Sequence, residues 1–281
     1  MDNKKVWFVT GASKGLGLTL VKKLLADGYE VAATSRSNAA LVNEVGQQSH
    51  NFLPLEADIA NEKSVRHAVE TAWHYFKTID VVVNNAGYGQ IGTLEELSDE
   101  ESRKNFDVNV FGTLNVIRNV MPHLREQKSG YIFNIASVGG YDGGFPGWGI
   151  YCSTKFAVAG LTEALAAEVK AFGVNVTLVY PGYFRTHFLS KESAITPKKP
   201  IEEYEEARQS QSFHQNSLNG NQQGDPEKAI DVIIKMAQEE KPPLHLFLGM
   251  DAYELASKKI ELVKQALEKW KDVTISTGFN I

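Results

Sequence analysis

Short runs of β-branched and aromatic residues alternate with stretches of helical periodicity along the whole chain. Residues 6–10 are typical of a buried strand, and residues 16–27 of the helix that follows it. The same order recurs, with strands expected at 30–35, 80–84, 131–135, 174–180 and 244–248, and helices at 62–76, 98–127, 154–172 and 252–271. Such alternation builds parallel strands joined by right-handed helical crossovers. The sequence therefore predicts an α/β fold, a doubly wound parallel sheet with helices on both faces, in one domain spanning 1–281.

Capping residues mark two of the helix starts. Ser98 is followed three residues later by Glu101, which is the spacing of a capping box. Asp225 and Pro226 fit the N-cap and the first helical position of another helix. Between these helices, residues 181–224 are polar and irregular, with a short helix expected at 201–212. A long irregular segment inside a compact domain is usually a binding loop or disordered.

Composition excludes several classes of function. The 281 residues carry a net charge of −5 with mixed signs along the chain, so no basic stripe indicates a nucleic-acid partner. No run of 18 apolar residues is present, and the N-terminus lacks the apolar core of a signal peptide, so we expect a cytoplasmic protein with no membrane partner. Cys152 is the single cysteine and the seven histidines show no metal-binding spacing, so neither a disulfide nor a metal is expected.

Three glycines lie between the first strand and the first helix. Gly11, Gly15 and Gly17 occur in TGASKGLG. Glycine permits positive φ and close backbone approach, and the N-terminus of a helix offers free N–H groups to a phosphate. A tight turn between strand and helix would use the same residues. The position of the glycines favours a dinucleotide site.

The glycine spacing begins a series of motifs that resembles the short-chain dehydrogenase/reductase family, in its branch with one compact domain. After TGxxxGxG come NNAG at 84–87, Asn109, Ser137, Tyr151-xxx-Lys155 and Pro181-Gly182, in the family's order. The resemblance covers about the first two-thirds of the chain. It implies a Rossmann-type fold and a nicotinamide cofactor. The residues that it assigns to the cofactor are Gly11, Ser13, Lys14, Gly15, Leu16, Gly17, Ser35, Arg36, Asp58, Ile59, Asn85, Ala86, Gly87, Tyr151, Lys155, Pro181, Gly182 and Thr186.

The end of the second strand indicates which cofactor binds. An NAD enzyme places a carboxylate there for the adenine ribose, whereas this chain has Ser35 followed by Arg36. Lys14 could reach the same 2′-phosphate, and the pair resembles NADP-preferring members of the family. Solvated surface cations are the alternative interpretation. We expect NADP(H) rather than NAD(H). Asp58 resembles the residue that touches the adenine edge, or it caps the following helix.

The proposed reacting group is a tyrosine with a lysine one helical turn later. Residues i and i+4 are neighbours on a helix, so the Lys155 ammonium can lower the pKa of Tyr151, which would be the general acid–base. Lys155 would also bind the nicotinamide ribose, and Ser137 would hold the substrate oxygen. Asn109 resembles the family's residue that holds a water in a proton relay, although it could simply kink its helix. Alone, this spacing also occurs by chance on surface helices.

The spacing before Tyr151 and the residues beside it are two further features of this part of the sequence. One more residue separates Ser137 from Tyr151 than the family pattern predicts, and we expect the glycine-rich loop between them to absorb it. Ser153 and Thr154 are weaker alternatives to Ser137. Cys152 has no partnered base in the sequence, so we interpret it as a packing residue.

The substrate side is less determined by the sequence. Residues 183–224 are expected to form a substrate lid, and the resemblance assigns Thr186 to the nicotinamide carboxamide. Five aromatic residues could line an apolar pocket or could belong to the core: Tyr141, Phe145, Trp148, Tyr183 and Phe188. NNAGYG and PGYFRT resemble the subgroup related to 17β-hydroxysteroid dehydrogenases, which does not establish a steroid substrate.

The overall prediction is an oxidoreductase that acts on a small-molecule carbonyl or alcohol. The resemblance implies a homodimer or homotetramer built from helices 98–127 and 154–172. The alternatives are an NADP-binding regulatory protein without turnover and a nucleotide-sugar epimerase or dehydratase. The second usually has a different glycine spacing and a longer C-terminal domain.

Overall fold

The computed structural model describes residues 4–279, so five residues of the predicted domain 1–281 lie outside it. The strands in the described part are β1 (Val6–Val9), β2 (Glu30–Ser35), β3 (Phe52–Glu56), β4 (Val81–Asn84), β5 (Gly89–Gln90), β6 (Gly130–Ile135), β7 (Val174–Pro181), β8 (Ala194–Ile195) and β9 (His245–Leu248). The α-helices are α1 (Gly15–Ala26), α2 (Asn38–Val45), α3 (Glu62–Phe76), α4 (Asp99–Phe106), α5 (Gly112–Gln127), α6 (Gly149–Val169), α7 (Glu205–Ser212), α8 (Pro226–Met236), α9 (Met250–Lys269) and α10 (Lys271–Ile275).

Seven of the strands form one parallel sheet in the order β3-β2-β1-β4-β6-β7-β9. Strands β2 and β3 therefore lie on one side of β1. The chain then crosses back and adds β4, β6, β7 and β9 on the other side. This reversal separates the carboxyl ends of β1 and β4 and creates a crevice where ligands bind in folds of this class. The predicted doubly wound sheet is confirmed.

The two faces of the sheet carry separate apolar cores. Alternate residues of β1 point to opposite sides, so Trp7 and Val9 pack with α1 and α8 while Phe8 packs with α3 and α5. All three are at most 1% exposed. The strands consequently lack polar alternation, which is the pattern that the sequence showed. Helices covering both faces leave the ends of the strands for function.

Helix α2 and strand β3 were not predicted from the sequence, and neither was the small second sheet of β5 and β8. Helix α2 begins after Ser37, whose hydroxyl accepts a hydrogen bond from the backbone N–H of Ala40. Strand β3 contains Pro54, which has no N–H to donate; β3 is the outermost strand on its side of the sheet, where proline is tolerated. The missing donor made this strand hard to recognise from composition alone.

The predicted boundaries of two functional helices also differ from the structure. Helix α6 begins at Gly149 rather than 154, so Tyr151 lies within its first turn. No side chain caps this start, and the preceding residues are glycine-rich, so the sequence carried no start signal. Residues 99–127 are continuous helix after the N-cap Ser98, but a π-helical segment, Asp107–Phe111, interrupts the α-geometry. The Ser98–Glu101 capping box is confirmed.

The segment 183–224 contains more regular structure than its composition indicated. A 3-10 turn (His187–Leu189), β8, α7 and a π-helical segment (Phe213–Leu218) follow one another. Strand β8 pairs with β5, and the two ends of the segment meet where the backbone N–H of Gly224 donates to the carbonyl of Tyr183. Asp225 and Pro226 then start α8 as predicted.

Among the helices of residues 4–279, none is both long enough and apolar enough to cross a bilayer.

Candidate active site

A cavity of about 630 Å³ opens at the carboxyl ends of β1, β4, β6 and β7. Residues that directly follow these strands line it, among them Gly11, Asn85, Ser137 and Gly182. The cavity therefore occupies the crevice that the strand order creates. It extends from the glycine-rich turn to the first turn of α6.

The glycine-rich turn is built for close backbone approach. Gly11 has φ +65°, and a Cβ there would lie 2.7 Å from the Cα of Ala86. Gly17 has no room for a side chain either, because a Cβ would lie 2.5 Å from the carbonyl oxygen of Gly11. No side chain caps the start of α1, whose N-cap residue is Lys14. The N–H groups of that first turn can therefore face an anion.

The end of β2 carries a hydroxyl and a guanidinium group. The Ser35 and Ser13 hydroxyl oxygens lie 3.1 Å apart, and the exposed Arg36 follows. The neighbouring strand brings Glu56 beside Ser35 in register, although this carboxylate accepts a hydrogen bond from the backbone of Asn38 and does not line the cavity. Within the described residues, the cavity wall at the end of β2 therefore contains the Arg36 guanidinium and no acidic side chain from β2.

Lys14 connects the glycine turn to the segment 183–224. Its ammonium donates a hydrogen bond of 2.6 Å to the Ser193 hydroxyl. Burial and the charge of Arg36 lower the pKa of Lys14, and the Glu192 carboxylate opposes them. Two cations thus lie near each other in the cavity wall, an arrangement that a bound anion would stabilise.

Asp58 lines the cavity after β3. Its carboxylate accepts a hydrogen bond of 3.1 Å from the backbone N–H of Ala60. The alternative that Asp58 caps the following helix is wrong, since Asn61 is the N-cap of α3 and accepts from Lys63 and Ser64. Asp58 instead forms a tight turn whose neighbour Ile59 also faces the cavity.

Tyr151 and Lys155 lie one helical turn apart on the buried side of α6. Their side chains are 7% and 5% exposed, and the Lys155 nitrogen lies 5.8 Å from the centre of the Tyr151 ring. The same ammonium donates a 2.9 Å hydrogen bond to the carbonyl of Ile135 at the end of β6. Ser137 follows two residues later, and its hydroxyl oxygen accepts from the Gly139 N–H at 3.1 Å. The hydroxyl hydrogen of Ser137 is therefore left for a second partner, either the Tyr151 phenol or a ligand.

Burial dominates the ionisation of this pair. Desolvation raises the pKa of Tyr151, and the nearby Ser137 hydroxyl offsets part of the rise. Desolvation lowers the pKa of Lys155 to about 8. Lys155 is not among the groups that shift the pKa of Tyr151, so the expected lowering of the phenol pKa by its ammonium is absent in the protein alone. Tyr151 is a neutral phenol at neutral pH and can donate a proton.

Asn109 lies in the π-helical segment and is 1% exposed. Its amide nitrogen donates to the Tyr88 carbonyl and to the Thr154 hydroxyl, both at 3.0 Å, and its oxygen accepts from the Tyr88 N–H. It therefore braces the NNAG turn against α6. A Cβ at Gly87 would lie 3.0 Å from the Asn109 oxygen and 3.6 Å from the Lys155 nitrogen, so glycine keeps open the space between them.

The Pro181-Gly182 turn packs against the start of α9. A Cβ at Gly182 would lie 2.2 Å from a carboxylate oxygen of Asp251, and that carboxylate accepts a 2.6 Å hydrogen bond from the Tyr183 N–H. Thr186 lines the cavity, and its hydroxyl accepts from the Phe188 N–H at 3.3 Å.

The structure brings nearly all of the predicted site residues together. Two of them, Gly17 and Asn109, lie behind the cavity wall; the others line it. The extra residue between Ser137 and Tyr151 is accommodated in the loop between them, because both side chains still face the cavity.

The aromatic residues divide between the cavity and the core. Phe145, Trp148, Tyr183 and Phe188 line the cavity. Tyr141 packs edge-on against the rings of Tyr180 and Phe247, so of the two alternatives for this residue the structure shows the core. The loop after β6 places the Tyr141 ring against β7 and β9, whereas the rings of Phe145 and Trp148 face the cavity. The thiol of the buried Cys152 has its pKa raised to about 12 by desolvation, in agreement with a packing role.

Sequence reasoning missed the polar residues that the segment 183–224 contributes. Ser193, His214 and Gln222 line the cavity and are at most 6% exposed. The Nδ1 atom of His214 lies 2.7 Å from the Ser210 carbonyl, which only accepts, so Nε2 accepts from the Tyr183 hydroxyl at 2.9 Å. Burial lowers the pKa of His214 and favours this neutral form. No local pattern in an irregular segment marks such residues.

Comparisons with known proteins agree with this geometry. The family model described as short chain dehydrogenase matches residues 5–197. Oxidoreductase BOA17 of Botryotinia fuckeliana is 34% identical over 276 residues, covering 98% of this chain and 99% of its own. The structure of a short-chain dehydrogenase from Streptomyces avermitilis superposes with a TM-score of 0.89 at 34% identity, covering 98% of this chain and all of that one. A short chain dehydrogenase from Burkholderia cenocepacia, solved in complex with NADP, superposes with a TM-score of 0.73 at 26% identity, covering 96% and 98%. The chain is an oxidoreductase that belongs to the short-chain dehydrogenase/reductase family.

Proposed function

We propose that this protein is an NADP(H)-dependent oxidoreductase that transfers a hydride between the nicotinamide and a small-molecule carbonyl or secondary alcohol. The observation that carries the proposal is the arrangement of the buried Tyr151 and Lys155 with the half-buried Ser137 at one end of a cavity whose other end is a glycine cradle. A proton donor, an oxygen ligand and an amine in one crevice are the groups that carbonyl reduction requires.

The cradle fits a dinucleotide. Gly11 and Gly17 exclude side chains from the backbone surface that a pyrophosphate would approach, and the first turn of α1 offers its N–H groups. Ser13, Gly15, Leu16, Asn85, Ala86 and Gly87 would complete the wall around it. When bound there, the nicotinamide would give a hydride to a carbonyl carbon or take one from a secondary alcohol.

Lys14 and Arg36 support the choice of NADP(H). Both are cations that line the cavity near the end of β2, where the adenosine would lie. The Burkholderia cenocepacia relative is described in complex with NADP and a Burkholderia phymatum neighbour in complex with NAD, so the choice rests on the two cations of this chain. The Ser35 hydroxyl would donate a hydrogen bond to the phosphate, which a carboxylate at this position would repel. Asp58 and Ile59 would border the adenine.

Tyr151 would act as general acid–base. Because desolvation keeps its phenol protonated, Tyr151 can give its proton to the carbonyl oxygen as negative charge develops there. Ser137 would hold the same oxygen with its hydroxyl hydrogen, since its own oxygen already accepts from Gly139. Lys155 would hold the nicotinamide ribose and replenish the proton of Tyr151.

Asn109 and Gly87 would keep the proton path open. The space beside Gly87 borders both the Asn109 oxygen and the Lys155 nitrogen, which suits a water between them. Pro181, Gly182 and Thr186 would border the nicotinamide. Residues 183–224 would be the substrate lid, with Phe145, Trp148 and Phe188 forming an apolar wall for the substrate.

The test compares wild-type protein with Tyr151→Phe and with the matched control Tyr141→Phe. NADPH oxidation is followed at 340 nm with a panel of activated ketones and quinones. We expect turnover by wild type and the control and a loss of at least about 100-fold in Tyr151→Phe, with unchanged NADPH affinity. NADPH binding without turnover of any panel member would instead favour a regulatory NADP-binding protein.

A further inference from the structure

The phenol of Tyr183 is paired with a histidine from the far end of the segment 183–224. Tyr183 follows the Pro181-Gly182 turn, and His214 lies in the π-helical segment Phe213–Leu218. The Tyr183 hydroxyl oxygen and the His214 Nε2 atom are 2.9 Å apart, and the centres of the two rings are 5.6 Å apart. Both residues line the cavity, and the proposed proton transfer uses neither of them.

A third group fixes the direction of this hydrogen bond. The Nδ1 atom of His214 lies 2.7 Å from the Ser210 carbonyl oxygen, so Nδ1 carries the ring hydrogen. Burial lowers the pKa of His214, which keeps Nε2 unprotonated. Desolvation raises the pKa of Tyr183 to about 12, which keeps its hydroxyl protonated. Tyr183 therefore gives its single hydroxyl hydrogen to His214.

This pairing leaves the Tyr183 oxygen with lone pairs only. A hydroxyl has one hydrogen and two acceptor sites. Within the described part of the chain, the Tyr183 hydroxyl makes no second hydrogen bond. Toward the cavity, the phenol oxygen can therefore accept a hydrogen bond but cannot donate one. A ligand group beside it must supply the hydrogen, because an oxygen without a hydrogen would be repelled.

Tyr183 lies close to the reacting phenol. It packs against the apolar cluster that contains Tyr151 and Cys152, and a charge on Tyr183 would raise the pKa of Tyr151. Trp148 connects the two places, since its ring centre lies 5.6 Å from that of Tyr151 and 5.1 Å from that of His214. A group that meets Tyr183 therefore belongs to the part of the substrate next to the carbonyl.

Two observations favour a hydroxyl over an ammonium as the donating group. The Lys155 nitrogen lies 5.8 Å from the Tyr151 ring, so its ammonium would repel a second cation there. The buried Nε1–H of Trp148 has no acceptor among residues 4–279. An unpaired buried donor requires an explanation, and a ligand oxygen supplies one. A hydroxyl can accept from Trp148 and donate to Tyr183, whereas an ammonium can only donate.

We propose that Tyr183, oriented by His214, selects carbonyl substrates that carry a hydroxyl group on a carbon near the carbonyl. This inference rests on the proposed function and names the substrate class of the same site. The substrate hydroxyl would donate to the Tyr183 oxygen, while Phe145, Trp148 and Phe188 would hold the carbon skeleton. Tyr183 is then a specificity-determining residue, and His214 is a positioning residue that acts through it.

The test uses aryl ketones that differ in one group. The probes are α-hydroxyacetophenone, its methyl ether, propiophenone and α-aminoacetophenone, with β-hydroxypropiophenone and its methyl ether as a longer pair. The value of kcat/KM with NADPH is measured for wild type, Tyr183→Phe, His214→Phe and the control Tyr253→Phe. Tyr253 is exposed on α9 and lies outside the cavity. Calorimetry in the presence of NADP⁺, which cannot reduce a ketone, measures the affinity for each probe, and far-UV circular dichroism verifies folding.

We expect wild type and Tyr253→Phe to prefer at least one hydroxy ketone over its methyl ether by at least about 10-fold. Propiophenone, which matches α-hydroxyacetophenone in size, should be disfavoured in the same way. Tyr183→Phe should reduce the preference to less than about 2-fold, because it removes the acceptor and keeps the ring. His214→Phe frees the Tyr183 hydrogen to donate, so the preference should move toward the methyl ethers.

Turnover of the ketones without any preference for a hydroxyl would overturn the proposal and leave the oxidoreductase activity standing. A preference that survives Tyr183→Phe, or stronger use of the α-amino ketone than of the α-hydroxy ketone, would also overturn it. If wild type reduces none of the ketones, the proposed function fails on this panel. The affinities measured with NADP⁺ then test the hydroxyl preference on their own: a preference lost in Tyr183→Phe supports it, and equal affinities overturn it.

Discussion

The side-chain nitrogen of Lys155 lies 5.8 Å from the centre of the Tyr151 ring, and both residues are more than nine-tenths buried. Desolvation acts on them in opposite directions, since it raises the pKa of the phenol and lowers the pKa of the amine to about 8. The site therefore holds a proton donor and a weakly basic amine that are both poorly solvated. Low solvation strengthens each hydrogen bond to a reacting oxygen, but it lowers the free energy of unfolding.

Replacing Lys155 by methionine should stabilise the fold at neutral pH while abolishing turnover. The pKa of Lys155 is about 8 in the folded protein and 10.5 unperturbed, so below pH 8 folding buries a charge. The cost is about 3 kcal/mol below pH 8 and decreases to about 1 kcal/mol at pH 9.5, as folding releases the proton. Urea unfolding at pH 7 and 9.5 checks this. A stability difference between variant and wild type that does not shrink at the higher pH would contradict it.

Substituting Arg36 by aspartate should move cofactor preference toward NAD(H). The variant removes a cation near the expected 2′-phosphate and adds a carboxylate that accepts from ribose hydroxyls. We expect the ratio of kcat/KM for NADPH to that for NADH to fall at least about 10-fold. Arg66→Asp on α3 is the matched control for charge. Equal or better use of NADPH by Arg36→Asp would refute the assignment.

Ser137→Ala should lower kcat/KM for the carbonyl substrate by about 100-fold or more and leave NADPH affinity unchanged. The variant removes the hydroxyl hydrogen that would hold the substrate oxygen. Ser153→Ala is the control, because the exposed Ser153 donates to the Gly149 carbonyl in its own helix. Steady-state kinetics and fluorescence titration measure both quantities. The proposed role fails if the two variants lose activity equally.

Two glycine-to-alanine substitutions should have opposite effects. A Cβ at Gly17 would lie 2.5 Å from the Gly11 carbonyl oxygen, so Gly17→Ala should cost about 1–3 kcal/mol and weaken NADPH binding. A Cβ at Gly160 in α6 meets no atom within 4 Å, so Gly160→Ala should stabilise by about 0.5–1 kcal/mol. Urea unfolding and NADPH titration check both. Normal NADPH affinity in Gly17→Ala would show that the cradle tolerates a side chain.

Ser193→Ala should loosen the proposed lid from the glycine turn. The variant removes the acceptor of the 2.6 Å hydrogen bond from Lys14. We expect limited proteolysis within 183–224 to accelerate several-fold, with global stability changed by about 1 kcal/mol or less. Ser217→Ala, an exposed position in the same segment, is the control. Identical cleavage rates for the two variants would exclude a latch at Ser193.

Local patterns in the sequence determined a large part of this protein. Strand composition predicted the parallel sheet, glycine spacing predicted the turn after β1, and the interval of four predicted that Tyr151 and Lys155 share one helix face. The Ser98 capping box was also predictable, because all of its contacts lie within four residues. These features depend on neighbours along the chain, which a single sequence displays directly. The resemblance to the 17β-hydroxysteroid dehydrogenase subgroup stays a prediction.

Only the tertiary structure decided which distant residues meet. Ser193 reaches Lys14 across 179 positions, and Glu56 lies beside Ser35 only because β3 pairs with β2. Tyr141 joined the core while Phe145, four residues later, lines the cavity, since the loop between them turns. The pKa of Tyr151 follows from burial by several elements at once. Contacts and desolvation of this kind arise from packing between elements, and no spacing along the chain encodes them on its own.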